Sequence, residues 1–270
     1  MTWTTRPRSN TGSLAAIVQG QGPLIVLLHG VGLRAEAWGA QIDHLADKGY
    51  RVVAPDMIGH GESPFKPAHT IQDFSTPVTE VLDEPALIIG HSMGSMMALH
   101  VALSHPGQMR GLVALNAVYQ RDEAAQKAVQ LRASSLDGQS VSDPEQTLAR
   151  WFGSSRNPQR DACETWLRSV SPRAYKAAYC AFARSTTPTS EQLERLSCPA
   201  LFMTGSEEPN STPEMSHRMA DTAANARAHD ITGAAHMMPM THPDETNAKL
   251  ESFAQHCFGS KISTPAPGLG

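Results

Sequence analysis

Five short runs of mostly branched apolar residues recur along the chain: LIVLL at 24–28, RVVAP at 51–55, ALIIG at 86–90, GLVALN at 111–116 and ALFMTG at 200–205. Each is bounded by Gly, Pro or Asp, and each is continuously hydrophobic rather than alternating. A strand needs that pattern only when both of its faces are covered, as in a parallel sheet between two layers of helices. Helix-length segments lie between the runs, among them AEAWGAQIDHLADKG at 35–49 and GSMMALHVALSHP at 94–106. Strand then helix, repeated, implies right-handed crossovers and an α/β fold with a doubly wound, mostly parallel sheet. The opening SLAAIVQGQG at 13–22 reads as an extra edge strand turning on Gly20 and Gly22.

From Asp122 to Leu196 the strand signal stops and helix starts replace it, with Asp143-Pro144, Asn157-Pro158 and Ser171-Pro172 each placing a capping residue before a proline. An all-helical insertion over 121–196 is therefore expected, dividing a core made of 1–120 and 197–260. The insertion carries Trp151, Phe152, Trp166, Tyr175, Tyr179 and Phe182, which either line a pocket facing the sheet or form the insertion's own core. The tail at 261–270, rich in Pro, Gly and Ser, has little to bury and is expected to be disordered.

At 270 residues the chain is long enough for one large domain. A formal net charge of -4 offers no basic stripe for a row of phosphates, so a small molecule is the expected partner rather than nucleic acid. The four cysteines, Cys163, Cys180, Cys198 and Cys257, form no C-x-x-C pair, which argues against a disulfide scaffold or a zinc knuckle and fits a reducing cytoplasm. No apolar stretch suits a signal peptide or a membrane span. No membrane association, metal or cofactor is expected.

In IIGHSMGSMMALH, at 88–100, a buried strand hands over to a helix within about three residues. Such a turn forces the residue between into a strained backbone conformation, and Gly90 and Gly94 remove the side chains that would collide across it. Ser92 at the apex then projects its hydroxyl from the carboxyl end of the sheet, beside the unpaired N–H groups of the following helix. A serine hydroxyl needs a base within hydrogen-bond reach to act as a nucleophile. Of twelve histidines, His236 lies in a glycine-containing loop after a strand at ARAHDI, 226–231, and before a helix entered at His242-Pro243.

G-x-S-x-G in a strand–turn–helix setting resembles the nucleophile elbow of the α/β-hydrolase family. Three further segments, in the family's order, carry the same resemblance: LLHGVGLRAEAW at 27–38, PDMIGHGES at 55–63, and the G-x-x-H loop that ends in H-P before the last helix. The match spans 24–116 and 199–256, and the insertion falls where the family places its cap. The resemblance implies that His236 is the base. It places the triad acid at Glu208 in Gly205-Ser206-Glu207-Glu208-Pro209, where the family more often has aspartate, with Glu207 in reserve. It implies an oxyanion hole from the backbone N–H groups of Val31 and Met93, a structural role for His29, and loop-shaping roles for Asp56, His60 and Ser63. Ser95 stands where a glycine is common and is expected to crowd the helix start slightly.

Acyl chemistry follows from the resemblance: a carboxylic-ester or lactone hydrolase acting on a small, fairly apolar substrate through an acyl-enzyme. A carbon–carbon bond hydrolase with the same triad is the nearest competitor. Ligand receptors and cofactor-free perhydrolases or oxygenases share the fold. A haloalkane dehalogenase is disfavoured, because its elbow carries aspartate where this chain has Ser92.

Overall fold

The computed structural model describes residues 3–154 and 156–259, so the tail at 261–270 lies outside the described residues. Eight strands form one sheet: β1 (Ser9–Thr11), β2 (Leu14–Gln19), β3 (Leu24–Leu28), β4 (Arg51–Pro55), β5 (Ala86–His91), β6 (Met109–Leu115), β7 (Ala200–Gly205) and β8 (Ala226–Ile231), in the order β1-β2-β4-β3-β5-β6-β7-β8. The segment expected as an edge strand is β2, but it is paired on both sides, antiparallel to β1 and β4, because the short β1 covers it and takes the edge; β4, β3, β5, β6, β7 and β8 are mutually parallel. The three-residue β1 has no apolar run of its own to announce it.

The continuous apolar runs are buried on both sides. Val26, Leu28, Ile88, Leu112 and Phe202 pack against Phe74, Met97 and Met219 on one face, whereas Ile25, Leu27, Ile89, Val113 and Met203 pack against Ile42, Leu250 and Phe253 on the other. Those partners belong to α2 (Ile71–Thr79), α3 (Met93–Ser104) and α9 (Pro213–Thr222) on the first face, and to α1 (Gly39–Asp47) and α11 (Pro243–Phe258) on the second. Burying one Leu or Ile side chain contributes about 1.5–3 kcal/mol, so each strand is held from above and below.

Between β6 and β7 the regular elements among the described residues are all helices: α4 (Glu123–Ser135), α5 (Glu145–Phe152), α6 (Pro158–Ser169), α7 (Pro172–Arg184) and α8 (Ser190–Glu194). Asn157 caps α6 by accepting from the Arg160 amide at 2.8 Å, and Asp122 caps α4 through the Ala125 amide at 2.7 Å. Ser171 precedes α7 without a capping bond, and α5 begins one residue later than Asp143-Pro144 suggests, with Pro144 itself at the cap position. The four-residue α10 (Met238–Thr241) precedes α11, and His242 stands at the entry to α11.

An ion-pair cluster ties the amino-terminal segment to the core. The Arg8 guanidinium bonds Glu36 Oε2 at 2.7 Å and Asp56 Oδ2 at 2.8 Å, with all three side chains at most 3 % exposed. Asp56 also accepts from the amides of Ala35 and Glu62, and Ser63 Oγ donates to the Asp56 carbonyl. Asp56 and Ser63 thus sit where a loop-shaping role requires. Among the described residues no helix is long and apolar enough to cross a membrane, and all four cysteines are free.

Candidate active site

Ser92 joins β5 to α3 at φ 56° and ψ -119°, a region that L-residues other than glycine seldom occupy. Such backbone costs on the order of 1–3 kcal/mol and persists only where the surroundings over-determine it. They do so here: the Ser92 amide donates to the Leu115 carbonyl at 2.9 Å, and a Cβ on Gly90 would run into the Gly94 carbonyl. A Cβ on Gly94 would in turn strike the Leu28 carbonyl, so both glycines are dictated by strand–helix approach. Ser95 is fully buried and does more than crowd the helix start: its hydroxyl donates to the Ser92 carbonyl, steadying the turn.

The loop after β3 passes beside the hydroxyl. A Cβ placed on Gly30 would lie 3.1 Å from Ser92 Cβ and 3.5 Å from its Oγ, and the next residue, Val31, lines the same cavity as Ser92. Met93, fully buried, opens α3, where the first amides lack helical partners. His29 shapes this loop: its Nδ1 bonds the Gly30 carbonyl at 2.8 Å and its Nε2 accepts the Met57 amide at 3.0 Å.

Glu208 and His236 meet on the other side of the cavity, with Oε2 2.7 Å from Nδ1. The remaining carboxylate oxygen of Glu208 accepts from the amides of Asn210 at 2.7 Å and Ser211 at 3.2 Å. Burial alone pushes this carboxyl up, but the His236 ring and the two amides outweigh it and hold it at about 2. The carboxylate therefore stays charged and fixes the imidazole with its Nδ1 side turned inward. Glu207 faces solvent, accepting only from Ser206 Oγ at 3.4 Å, and does not reach the ring.

Two side chains that the sequence reading passed over hold the histidine loop. His91 Nε2 and Asn116 Nδ2 each donate to the His236 carbonyl at 2.7 Å. Burial, and next the charge of His236, press His91 down to about 3, so it is neutral and its one ring proton is committed to that bond. Asn116 leaves β6 at φ 50° and also accepts the Gly205 amide at 3.3 Å, linking the end of β7 to the histidine loop. An asparagine closing the apolar run at 111–116 is the sequence-level hint, and it is a weak one.

Ser92 and His236 line one cavity of about 750 Å³ between the sheet's carboxyl edge and helices α4, α5 and α7. Among the described residues no hydrogen bond joins the Ser92 hydroxyl to the ring; such bonds are often formed only once substrate is bound. Trp151 stacks on His236 with centroids 5.3 Å apart and planes at 17°, sheltering the ring from above. Tyr175, Tyr179 and Phe182 also line the cavity, whereas Trp166 turns away into a separate apolar group with Leu148, Cys163 and Leu167. The insertion's aromatics therefore divide between the two expected fates. Among the described residues no group of three metal-ligating side chains comes together.

The model of the Alpha/beta hydrolase family matches residues 25–249. The chain is 36% identical over 254 residues, 92% of its length and 96% of the relative's, to (E)-2-((N-methylformamido)methylene)succinate hydrolase of Acinetobacter baylyi. It is 26% identical to the pimeloyl-[acyl-carrier protein] methyl ester esterase of Vibrio atlanticus, over 88% of this chain and 96% of that one. A thermophilic esterase from Thermogutta terrifontis superposes with a TM-score of 0.82 at 23% identity, covering 93% of this chain and 99% of that one.

Proposed function

Because the chain belongs to the α/β-hydrolase family, we propose that it is a serine hydrolase in which Ser92, His236 and Glu208 cleave a carboxylic ester or lactone through an acyl-enzyme. The observation that carries this reading is the 2.7 Å contact between Glu208 Oε2 and His236 Nδ1 at the wall of the cavity that also holds the strained Ser92. A buried carboxylate on Nδ1 leaves Nε2 as the basic atom facing the cavity.

In the proposed mechanism His236 Nε2 takes the Ser92 proton as Oγ adds to the substrate carbonyl. The resulting oxyanion accepts from the N–H groups of Val31 and Met93, and a single donor of this kind supplies about 3–4 kcal/mol of transition-state stabilisation. The imidazolium, stabilised by Glu208, gives its proton to the leaving alkoxide, which departs as an alcohol. Water then adds to the acyl-enzyme, again with its proton passing to His236, and the acid is released with Ser92 restored. The helices over 121–196 act as a cap that roofs the site, with Trp151 against the ring.

One observation favours a second reading, in which the same three residues cleave a bond other than an ester. The A. baylyi relative is named for hydrolysing a compound that carries a formamide and no ester. A substrate panel of esters, lactones, amides and vinylogous carbonyl compounds separates the two.

The mechanism is tested by labelling with a fluorophosphonate and locating the adduct by mass spectrometry, together with steady-state turnover of a 4-nitrophenyl ester. The expected result is an adduct on Ser92, multiple turnovers, and loss of both in Ser92→Ala. Full turnover by Ser92→Ala would overturn the mechanism, and single turnover by the unaltered protein would favour a ligand receptor.

A further inference from the structure

The cavity above Ser92 is not uniformly apolar, as a fairly apolar substrate would require. Arg121, Arg132 and Arg150 line it from the start of the insertion, α4 and α5. Among the described residues none of the three forms an ion pair, whereas Arg6, Arg8, Arg34, Arg51, Arg156, Arg160 and Arg168 each pair with a carboxylate. Two carboxylates also line the cavity, and both are engaged elsewhere: Asp122 caps α4 through the Ala125 amide at 2.7 Å, and Asp143 pairs with Arg168 at 3.5 Å.

The three guanidiniums converge. Burial raises the Tyr179 phenol, and the charges of Arg132, Arg150 and Arg121 all pull against that rise, so all three lie within electrostatic reach of one phenol in the cavity wall. Arg132 is aimed by its bonds to Thr147 Oγ1 at 2.8 Å and Tyr175 Oη at 3.2 Å, and it lies 5.2 Å from the centroid of the Tyr179 ring. Arg121 rests 4.5 Å over the Phe182 ring and bonds Gln126 through Nη1 at 3.4 Å, leaving its buried Nη2 without a partner. A desolvated guanidinium nitrogen with no acceptor is a donor awaiting one.

We propose that the substrate carries a carboxylate remote from its scissile carbonyl, and that Arg121, Arg132 and Arg150 bind it under the cap while the carbonyl lies at Ser92. Planar guanidiniums braced on aromatic faces suit the planar, two-oxygen carboxylate. The inference rests on the serine-hydrolase reading above and adds the charge of the substrate.

The test compares 4-nitrophenyl hemisuccinate with the neutral 4-nitrophenyl valerate on the unaltered protein. The hemisuccinate is expected to have a kcat/KM at least about tenfold higher, through KM, with the advantage shrinking as salt is raised. Arg121→Gln and the more exposed Arg150→Gln are each expected to lower that ratio. Calorimetry of succinate with Ser92→Ala should show binding that weakens about tenfold in a Ser92→Ala/Arg121→Gln double variant. Equal or better turnover of the valerate, or no succinate binding, would overturn the proposal. Stronger competition by inorganic phosphate than by succinate would overturn the carboxylate in favour of a phosphoryl group. Turnover of neither ester with no labelling of Ser92, while succinate still binds, would instead sink the hydrolytic reading and leave the anion site standing.

Discussion

Asn116 reaches across from the end of β6 to the loop after β8, donating to the His236 carbonyl at 2.7 Å while accepting the Gly205 amide at 3.3 Å. One amide side chain thereby sets the spacing between the strand end that leads to Glu208 and the loop that presents the imidazole. His91 adds a second donor to the same carbonyl from the residue preceding Ser92.

Replacing that amide is expected to loosen the imidazole. Asn116→Ala strands a buried backbone amide and removes one of two donors to the carbonyl, which costs about 1–3 kcal/mol of stability. The activity should fall further than the stability explains, as a drop in kcat on a 4-nitrophenyl ester under conditions where urea titration shows the variant fully folded.

The two adjacent glutamates should separate cleanly. Glu208→Gln keeps the shape but removes the charge facing Nδ1, and the loss in kcat is expected at about 10³–10⁴-fold. Glu207→Gln, on an exposed side chain, should change kcat by less than about twofold. Steady-state kinetics on both variants checks the assignment, and a reversed order would move the acid to Glu207.

Gly30 tests the space for the oxyanion. The methyl of Gly30→Ala would sit 3.5 Å from Ser92 Oγ, close to where an oxyanion must form. Fluorophosphonate labelling and ester turnover are expected to fall by about tenfold or more, because one displaced donor accounts for about 10²–10³-fold in kcat. Thermal melting should show a much smaller effect.

Trp151→Ala should expose the ring of His236 to solvent and open the cavity. A fall in kcat/KM of about tenfold is expected, with Trp151→Phe recovering most of it, since an aromatic face suffices for stacking. Equal losses in both variants would mean that the indole acts by size alone.

Acid should act first on the amino-terminal cluster and the Glu208 site. Burial works to raise the Glu36 carboxyl, but Arg8, the Arg6 amide and Arg34 hold it at about 2, below its ordinary 4.5. A carboxyl whose folded value is depressed stabilises the fold fully above 4.5, and that contribution is lost as pH falls from about 4.5 towards 2. Glu208, held at about 2 beside His236, loses its contribution over the same window. Urea midpoints measured between pH 7 and pH 2.5 should fall in that range, and Arg8→Gln should flatten the slope there.

Much of the architecture was legible because burial on two faces writes itself into a strand as an unbroken apolar run. β3, β5 and β7 are such runs, and Gly90 and Gly94 announce the turn at Ser92 because nothing larger fits. β1 was illegible, since a three-residue exposed strand has no apolar face. Glu208 could be placed only through family likeness, because nothing local distinguishes it from Glu207. The arginines were hidden for another reason: Arg132 on α4 and Arg150 on α5 look like ordinary solvated helix residues and Arg121 like a loop residue, and only the folding of the insertion brings them around Tyr179. His91 sits in plain view beside the serine, yet its bond spans 145 residues of chain, a distance that no local pattern records.

The insertion leaves the sheet from β6 and returns on β7, and these strands are direct neighbours in register, with Leu112 beside Ala200 and Leu115 beside Met203. Because the two strands are parallel, the chain leaves at the carboxyl edge of the sheet and crosses back to the amino edge, and the whole insertion lies within that single crossover. Evolution can lengthen, trim or exchange it without rethreading a single strand, so new tastes in substrate can arise while the bond-breaking floor is inherited intact.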